Sequence, residues 1–219
     1  MSYEARDYTH LLGNLPGFSD EQLKAHLELY RGYVKGTNEI IDKLENRDRK
    51  AAAYAFGEYS ELKRRLPVAY NGMWLHELYF DNLKPDVDDD GSFREAVQKQ
   101  WSSVKDWKEG VVATAKTGPG WVITALEQTT HQLRTVFVAE HHIGWMANHT
   151  PIMVLDMWEH AYMIDFGIEK TAYLNAFMEN LNWEILDRRY RAAAAEVHKN
   201  VSDAPRNLNY VHAAGGGIG

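Results

Sequence analysis

The chain has 219 residues, 45% of them hydrophobic, with 31 acidic and 24 basic side chains for a formal net charge of −7. That is enough apolar material for one larger domain or two small ones packed together, which excludes disorder throughout, and the acidic balance argues against a nucleic-acid partner or an anionic membrane surface. Cysteine is absent while histidine occurs ten times, so disulfides and thiolate metal sites are excluded, leaving His, Asp and Glu as the strong ligands.

The first element is expected from SDEQLKAH at 19–26 to about residue 49. Ser19 followed three residues later by Gln22 reads as a capping box, and Leu23, Leu27, Tyr30 and Val34 recur at helical spacing. Residues 50–84 read as two helical pieces separated near Pro67, the second carrying Trp74, Leu75, Leu78 and Tyr79. Residues 1–85 are therefore expected to form an N-terminal helical hairpin domain. KPDVDDDG at 84–91, rich in Pro, Asp and Gly, is the candidate linker. Residues 92–116 read as one or two helices, ended by GPG at 118–120. WVITALEQ, LRTVFVAE and IMVL then follow as short, β-branched, apolar strands, and residues 171–200 as a final helix. The fold class is α+β: residues 92–200 form a C-terminal domain with a small three-stranded antiparallel sheet and helices, and 201–219 has the composition of a flexible tail. No apolar stretch approaches the roughly 18–20 residues of a membrane span, and MSYEARDYTH lacks a basic region followed by an apolar one, so a cytoplasmic protein without a membrane partner is expected.

The least generic stretch is DMWEHAYM at 156–163, directly behind the apolar run IMVL. Asp156 and His160 are four apart, so a turn or helix start would bring both side chains to one side, although such a pair alone is common in helices. His26 and His76 lie in AHLELYRGYV and MWLHELYF, apolar and aromatic helical faces on which a lone histidine is more often a satisfied core residue. Together the four make a three-histidine, one-carboxylate set. Spacing leaves open whether they meet.

DMWEHAYMIDFG followed by YLNAFMENLNWEIL resembles the Asp-x-Trp-Glu-His-Ala-Tyr signature and the closing Asn-Trp-Glu helix of the iron/manganese superoxide dismutases. GPGW at 118–121 resembles that family's Gly-x-Gly-Trp, and WLHELYFDNL its second helix, so that the likeness spans roughly residues 18–193. The resemblance implies conversion of superoxide to dioxygen and hydrogen peroxide at one iron or manganese ion per subunit. Its implied ligands are His26, His76, Asp156 and His160, with a bound solvent. The donor types suit ions that cycle between +2 and +3 and need no thiolate.

The resemblance also implies roles around the ligands. A Gln or His in the loop before the signature aspartate hydrogen-bonds the bound solvent, and counting along AEHHIGWMANHTP puts His142 on that position with His141 beside it. Tyr33 matches the gateway tyrosine, but it follows His26 by seven residues where the family usually has eight; the alternative register would put Ala25, which cannot bind metal, at the ligand position. Tyr30 stands where the family commonly has a histidine of the gateway network. Trp121 and Trp158 wall the metal, Glu159 and Tyr162 belong to a two-fold interface that implies a homodimer or a dimer of dimers, and Lys170 is a candidate positive guide for an anion. Ile123 replaces the family's second tryptophan and Val154 stands two before the aspartate, which leaves iron versus manganese undecided. Two other readings stay open: a zinc hydrolase with the same ligands, and a noncatalytic relative that keeps the fold.

Overall fold

A computed structural model of the chain describes residues 2–84 and 90–203. Most of the linker, 85–89, and the tail beyond residue 203 lie outside the described residues. The architecture is α+β, with seven α-helices and one three-stranded sheet among the described residues.

Helix α1, Asp20–Glu45, starts as its cap predicts, with the Ser19 hydroxyl accepting from Gln22 N at 3.0 Å. The Gln22 side chain does not close a reciprocal box. It is buried and reaches across the molecule, donating to the His160 carbonyl at 2.6 Å and accepting from Ile164 N at 3.0 Å. Helix α2, Glu58–Asp81, runs through Pro67 without a break, contrary to the two pieces expected. A proline inside a helix forfeits one N–H bond and crowds the preceding turn, and packing against α1 along the hairpin outweighs that loss. Only the start of the first piece departs from helix: residues 49–57 are a short 3-10 turn at Arg49–Ala51 and a loop in which Tyr54 and Phe56 are 97% and 83% exposed. With no buried face, those residues have nothing to hold a helix together.

Helices α3, Ser92–Trp101, and α4, Val104–Ala115, are separated by Ser102 in the left-handed region and by Ser103, which caps α4. Strands β1, Trp121–Glu127, β2, Leu133–Val138, and β3, His149–Asp156, form an antiparallel sheet in the order β2-β1-β3. Trp121 pairs with Asp156 and Ile123 with Val154, so these four share one face of the sheet. Gly120, at φ +138°, lies against the Val138 carbonyl where a Cβ would collide, which lets the chain turn Trp121 into the sheet.

After β3 come a 3-10 turn at Glu159–Ala161 and the one-turn helix α5, Met163–Phe166. The expected single closing helix is two, α6, Lys170–Glu179, and α7, Trp183–Asp203. The interruption is built by Asn180–Asn182, which pairs its backbone with the end of α2: Lys84 N donates to Asn180 O (2.8 Å) and Asn182 N to Asn82 O (2.7 Å). One apolar cluster draws side chains from both halves, among them Leu27, Tyr79, Phe80, Trp121, Leu155 and Tyr173. The hairpin is thus clamped against the end of β3.

Candidate metal centre

Four donors converge where the hairpin meets the end of β3. The Nε2 atoms of His26, His160 and His76 lie 3.2, 3.1 and 3.6 Å from one atom, Asp156 Oδ2. The four donor atoms all lie within 4.8 Å of one another. Metal–nitrogen and metal–oxygen bonds of about 2.0–2.2 Å put the donors of one ion within about 4.4 Å of each other, so the cluster needs only a few tenths of an ångström of contraction to close on an ion.

Each donor is aimed by its own element. His26 is buried on α1, which brings it into the cluster and leaves Ala25 exposed, and Tyr33 follows seven residues later on the same helix. His76, on α2, donates from Nδ1 to the Gly72 carbonyl one turn back, which leaves Nε2 unprotonated and, although buried, without a hydrogen-bond partner. An orphaned lone pair facing a carboxylate oxygen is a cost unless a cation sits between them. Asp156 closes β3 fully buried; its Oδ1 accepts from Trp158 N at 2.9 Å and its carbonyl from Tyr173 Oη at 2.6 Å. The 3-10 turn then swings His160 back over the aspartate.

The protonation states suit a cation. Burial pushes both His26 and His76 below the ordinary imidazole value, His76 to about 3, with His26 close by adding to the effect on His76. Burial works to raise the Asp156 pKa, but the electrostatic attraction and hydrogen bonds offered by His160 and His26 outweigh it and hold the carboxyl well below the usual range. Neutral imidazoles at His26 and His76 beside an ionised Asp156 match the deprotonated ligands a metal requires.

Around this cluster the structure corrects two expectations. The histidine that reaches inward is His141, not His142. Glu140 and Ile143 bridge to form a tight turn after β2, and within it His141 is buried against Trp121 and Tyr33 while His142 is exposed. Trp121 Nε1 donates to His141 Nδ1 at 2.9 Å, and Tyr33 Oη lies 2.6 Å from His141 Nε2. An indole N–H can only donate, so Nδ1 is the acceptor, the imidazole proton sits on Nε2, and Tyr33 Oη accepts it. The tyrosine's own proton is therefore left to point elsewhere. Burial lowers the His141 pKa, which keeps the ring neutral, and raises that of Tyr33, with the charges of Asp156 and Glu140 adding to the rise and Arg65 opposing it.

Tyr30, expected in the same network, turns away. Its hydroxyl donates to Glu77 Oε1 and accepts from Arg6 N, both at 2.9 Å, and its ring packs on Tyr8 and Phe80. Four residues after His26, its side chain is committed to the N-terminal segment that crosses the hairpin.

Trp121 stands edge-on to His76 with ring centroids 5.0 Å apart, and Trp158 packs 6.0 Å from His141. Glu159 is exposed beside His160, Tyr162 is buried on Tyr173, and the Lys170 ammonium lies 5.9 Å over the Tyr162 ring. Gly72 and Asn71 escaped sequence reasoning. A Cβ on Gly72 would meet the Tyr33 ring at 2.5 Å, so the glycine admits that ring, and Asn71 donates to the His141 carbonyl at 2.8 Å. Their place one turn before His76 was the available signal. Tyr173 opens the stretch YLNAFMENLNWEIL, but nothing in that stretch marks its reach to the Asp156 carbonyl.

The sequence profile described as iron/manganese superoxide dismutases, C-terminal domain, matches residues 89–189. The chain is 34% identical to a "Superoxide dismutase [Fe]" of Cupriavidus metallidurans, over 90% of this chain and all of that protein. It is 32% identical to a "Superoxide dismutase [Fe]" of Aquifex pyrophilus (82% of this chain, 87% of the relative) and 31% identical to "Superoxide dismutase [Mn] 2" of Haloferax volcanii (88% and 98%).

Proposed function

Since the chain belongs to the iron/manganese superoxide dismutases, we propose that His26, His76, Asp156 and His160 hold the iron or manganese ion at which it converts superoxide to dioxygen and hydrogen peroxide. The observation that carries this assignment is the convergence of three imidazole Nε2 atoms on one Asp156 oxygen. When bound, the ion supplies a one-electron couple that accepts an electron from one superoxide and returns it to the next.

The residues do the rest. Asp156 contributes the anionic donor and three neutral imidazoles contribute no charge, which keeps the site's total charge modest. The hairpin supplies His26 and His76 and the sheet-bearing part supplies Asp156 and His160, so the proposed division at 85 and 92 is a division of ligands too. His160, with 29% of its side chain exposed, leaves the approach from solvent open. Two protons must reach each departing peroxide, and Tyr33, whose proton His141 does not take, is oriented to hand one over. Trp121 holds His141 in the tautomer that makes this so. Trp121 and Trp158 keep bulk water from the remaining faces.

A homodimer is part of the proposal: Glu159, exposed one residue from His160, is free to meet a partner. Among the described residues, no helix is long and apolar enough to cross a membrane. The same donors suit zinc, and relatives named for iron and manganese favour the redox reading.

Metal analysis and superoxide consumption, measured on the wild type beside His26→Ala, test the proposal. The wild type is expected to hold close to one iron or manganese per chain and to consume superoxide, and the variant to lose both. Equal metal and equal activity in the two would remove His26 from the site.

A further inference from the structure

Arg65, Ala69, Gly72 and His76 follow one another on α2 at spacings of four, three and four, which keeps all four on one face of the helix. His76 belongs to the metal cluster and Gly72 lies against the Tyr33 ring, so the stripe leads outward from the donors past Tyr33 and ends at Arg65. Arg65 is exposed and has no hydrogen bond or close ion pair among the described residues, its charge acting on Glu61 one turn back only at longer range. Arg64 beside it pairs with Glu61. Lys170, the cation picked out by resemblance, stands over the Tyr162 ring. Glu140 is exposed on the turn that carries His141, whose ring meets the Tyr33 hydroxyl. The Tyr33 hydroxyl feels both side chains, in opposite senses.

We propose that Arg65 and Glu140 are an opposed charge pair at the mouth beside Tyr33 that sets how fast the superoxide monoanion is captured, Arg65 drawing it in and Glu140 holding it off. The inference rests on the reading that Tyr33 and His141 border the approach to the metal. Neither side chain touches the reacting atoms; both act on the encounter. A unit charge about 10 Å away through water changes the local concentration of a monoanion about twofold, and the effect fades once the Debye length falls to about 8 Å or less.

The test uses the full metal-loaded chain as wild type, Arg65→Gln, Glu140→Gln and Lys63→Gln. Lys63 lies over the Tyr59 ring on the opposite face of α2, so its loss alters net charge as Arg65→Gln does without touching the stripe. Two quantities are read at low and at high salt: kcat/KM for superoxide, and the dissociation constant of azide, an inert monoanion. At low salt Arg65→Gln should lower kcat/KM and weaken azide binding about twofold. Glu140→Gln should do the reverse by a similar factor, Lys63→Gln should stay near wild type, kcat should hold throughout, and all values should converge at high salt. An Arg65→Gln enzyme indistinguishable from Lys63→Gln overturns the proposal, as does a deficit that persists at high salt or falls on kcat. A wild type that binds no metal and consumes no superoxide overturns the functional assignment instead.

Discussion

His76 and His160 offer their Nε2 atoms to the same aspartate oxygen from opposite surroundings. The His76 side chain is fully buried, fixed through Nδ1 to Gly72, stacked on Tyr33 at 5.2 Å and met edge-on by Trp121. The His160 side chain is 29% exposed and rides on a 3-10 turn whose carbonyl is steadied by Gln22. The hairpin side of the site is therefore preorganised by packing, and the loop side can adjust. Such an asymmetry suits a centre that must keep its donors in place yet admit a small anion. It also separates two roles that a ligand list would merge, because His76 is part of the core whether or not an ion is present.

Alanine at each position sharpens that contrast. Both His76→Ala and His160→Ala are expected to lose most of the metal and nearly all activity, since each removes one of four donors. The metal-free proteins should then diverge. His76→Ala empties a closed space and should cost about 2–4 kcal/mol, whereas His160→Ala opens no closed space and should cost about 1–2 kcal/mol, chiefly the lost hydrogen bond to buried Asp156. Urea unfolding of the chelator-treated variants reads the difference directly, and equal midpoints would mean that burial does not distinguish the two sides.

Trp121→Phe probes the next layer. It keeps the apolar wall but removes the donor that fixes His141, so Nδ1 can take up the ring proton and Nε2 can become the acceptor from Tyr33. The tyrosine proton would then point at His141 rather than into the site. Activity should fall about tenfold with metal content close to wild type, the lower end of what outer-shell partners of metal ligands usually cost. Unchanged turnover would show that the tautomer does not matter.

A smaller effect is expected from Gly72→Ala. The helix gains up to about 1 kcal/mol of propensity, but the added methyl would sit 2.5–2.9 Å from three atoms of the Tyr33 ring, and overpacking of this kind costs about 1–3 kcal/mol. Net stability should fall slightly and activity several-fold as the Tyr33–His141 contact is displaced. Combined with Tyr33→Phe the losses should not add, because both act through one ring. Additive losses would mean that Gly72 matters for some other reason.

How much of this was legible depended on the kind of signal. The α1 start was written in Ser19 and the apolar spacing behind it, and the three strands in their β-branched runs. The four donors could be named because their neighbourhoods carry a specific pattern, but only the fold brings residues 26, 76 and 156 together. Pro67 misled because a local rule about helix interiors lost to the packing of a hairpin. The break at Asn180–Asn182 was hidden because its cause, the backbone of Asn82 and Lys84, lies about a hundred residues earlier. Tyr30 turns away from the site for a related reason: its partners, Arg6 and Glu77, come from two other segments.

The His141/His142 pair shows how fine the missing information can be. Both side chains are offered by the sequence, and a count from flanking landmarks points to His142, whereas the tight turn between Glu140 and Ile143 buries His141 instead. His142→Ala is accordingly expected to leave metal content, turnover and unfolding midpoint within error of wild type, since the side chain is exposed and the turn is held by backbone bonds. His141→Ala should cut turnover by tenfold or more while leaving Tyr33 Oη and Trp121 Nε1 without their shared partner. The two variants differ by one position in the chain, so the same assay on both separates an account based on side-chain direction from one based on sequence distance. Comparable losses in both would mean that the turn delivers either imidazole to Tyr33, and the tautomer argument for Trp121 would fall with that result.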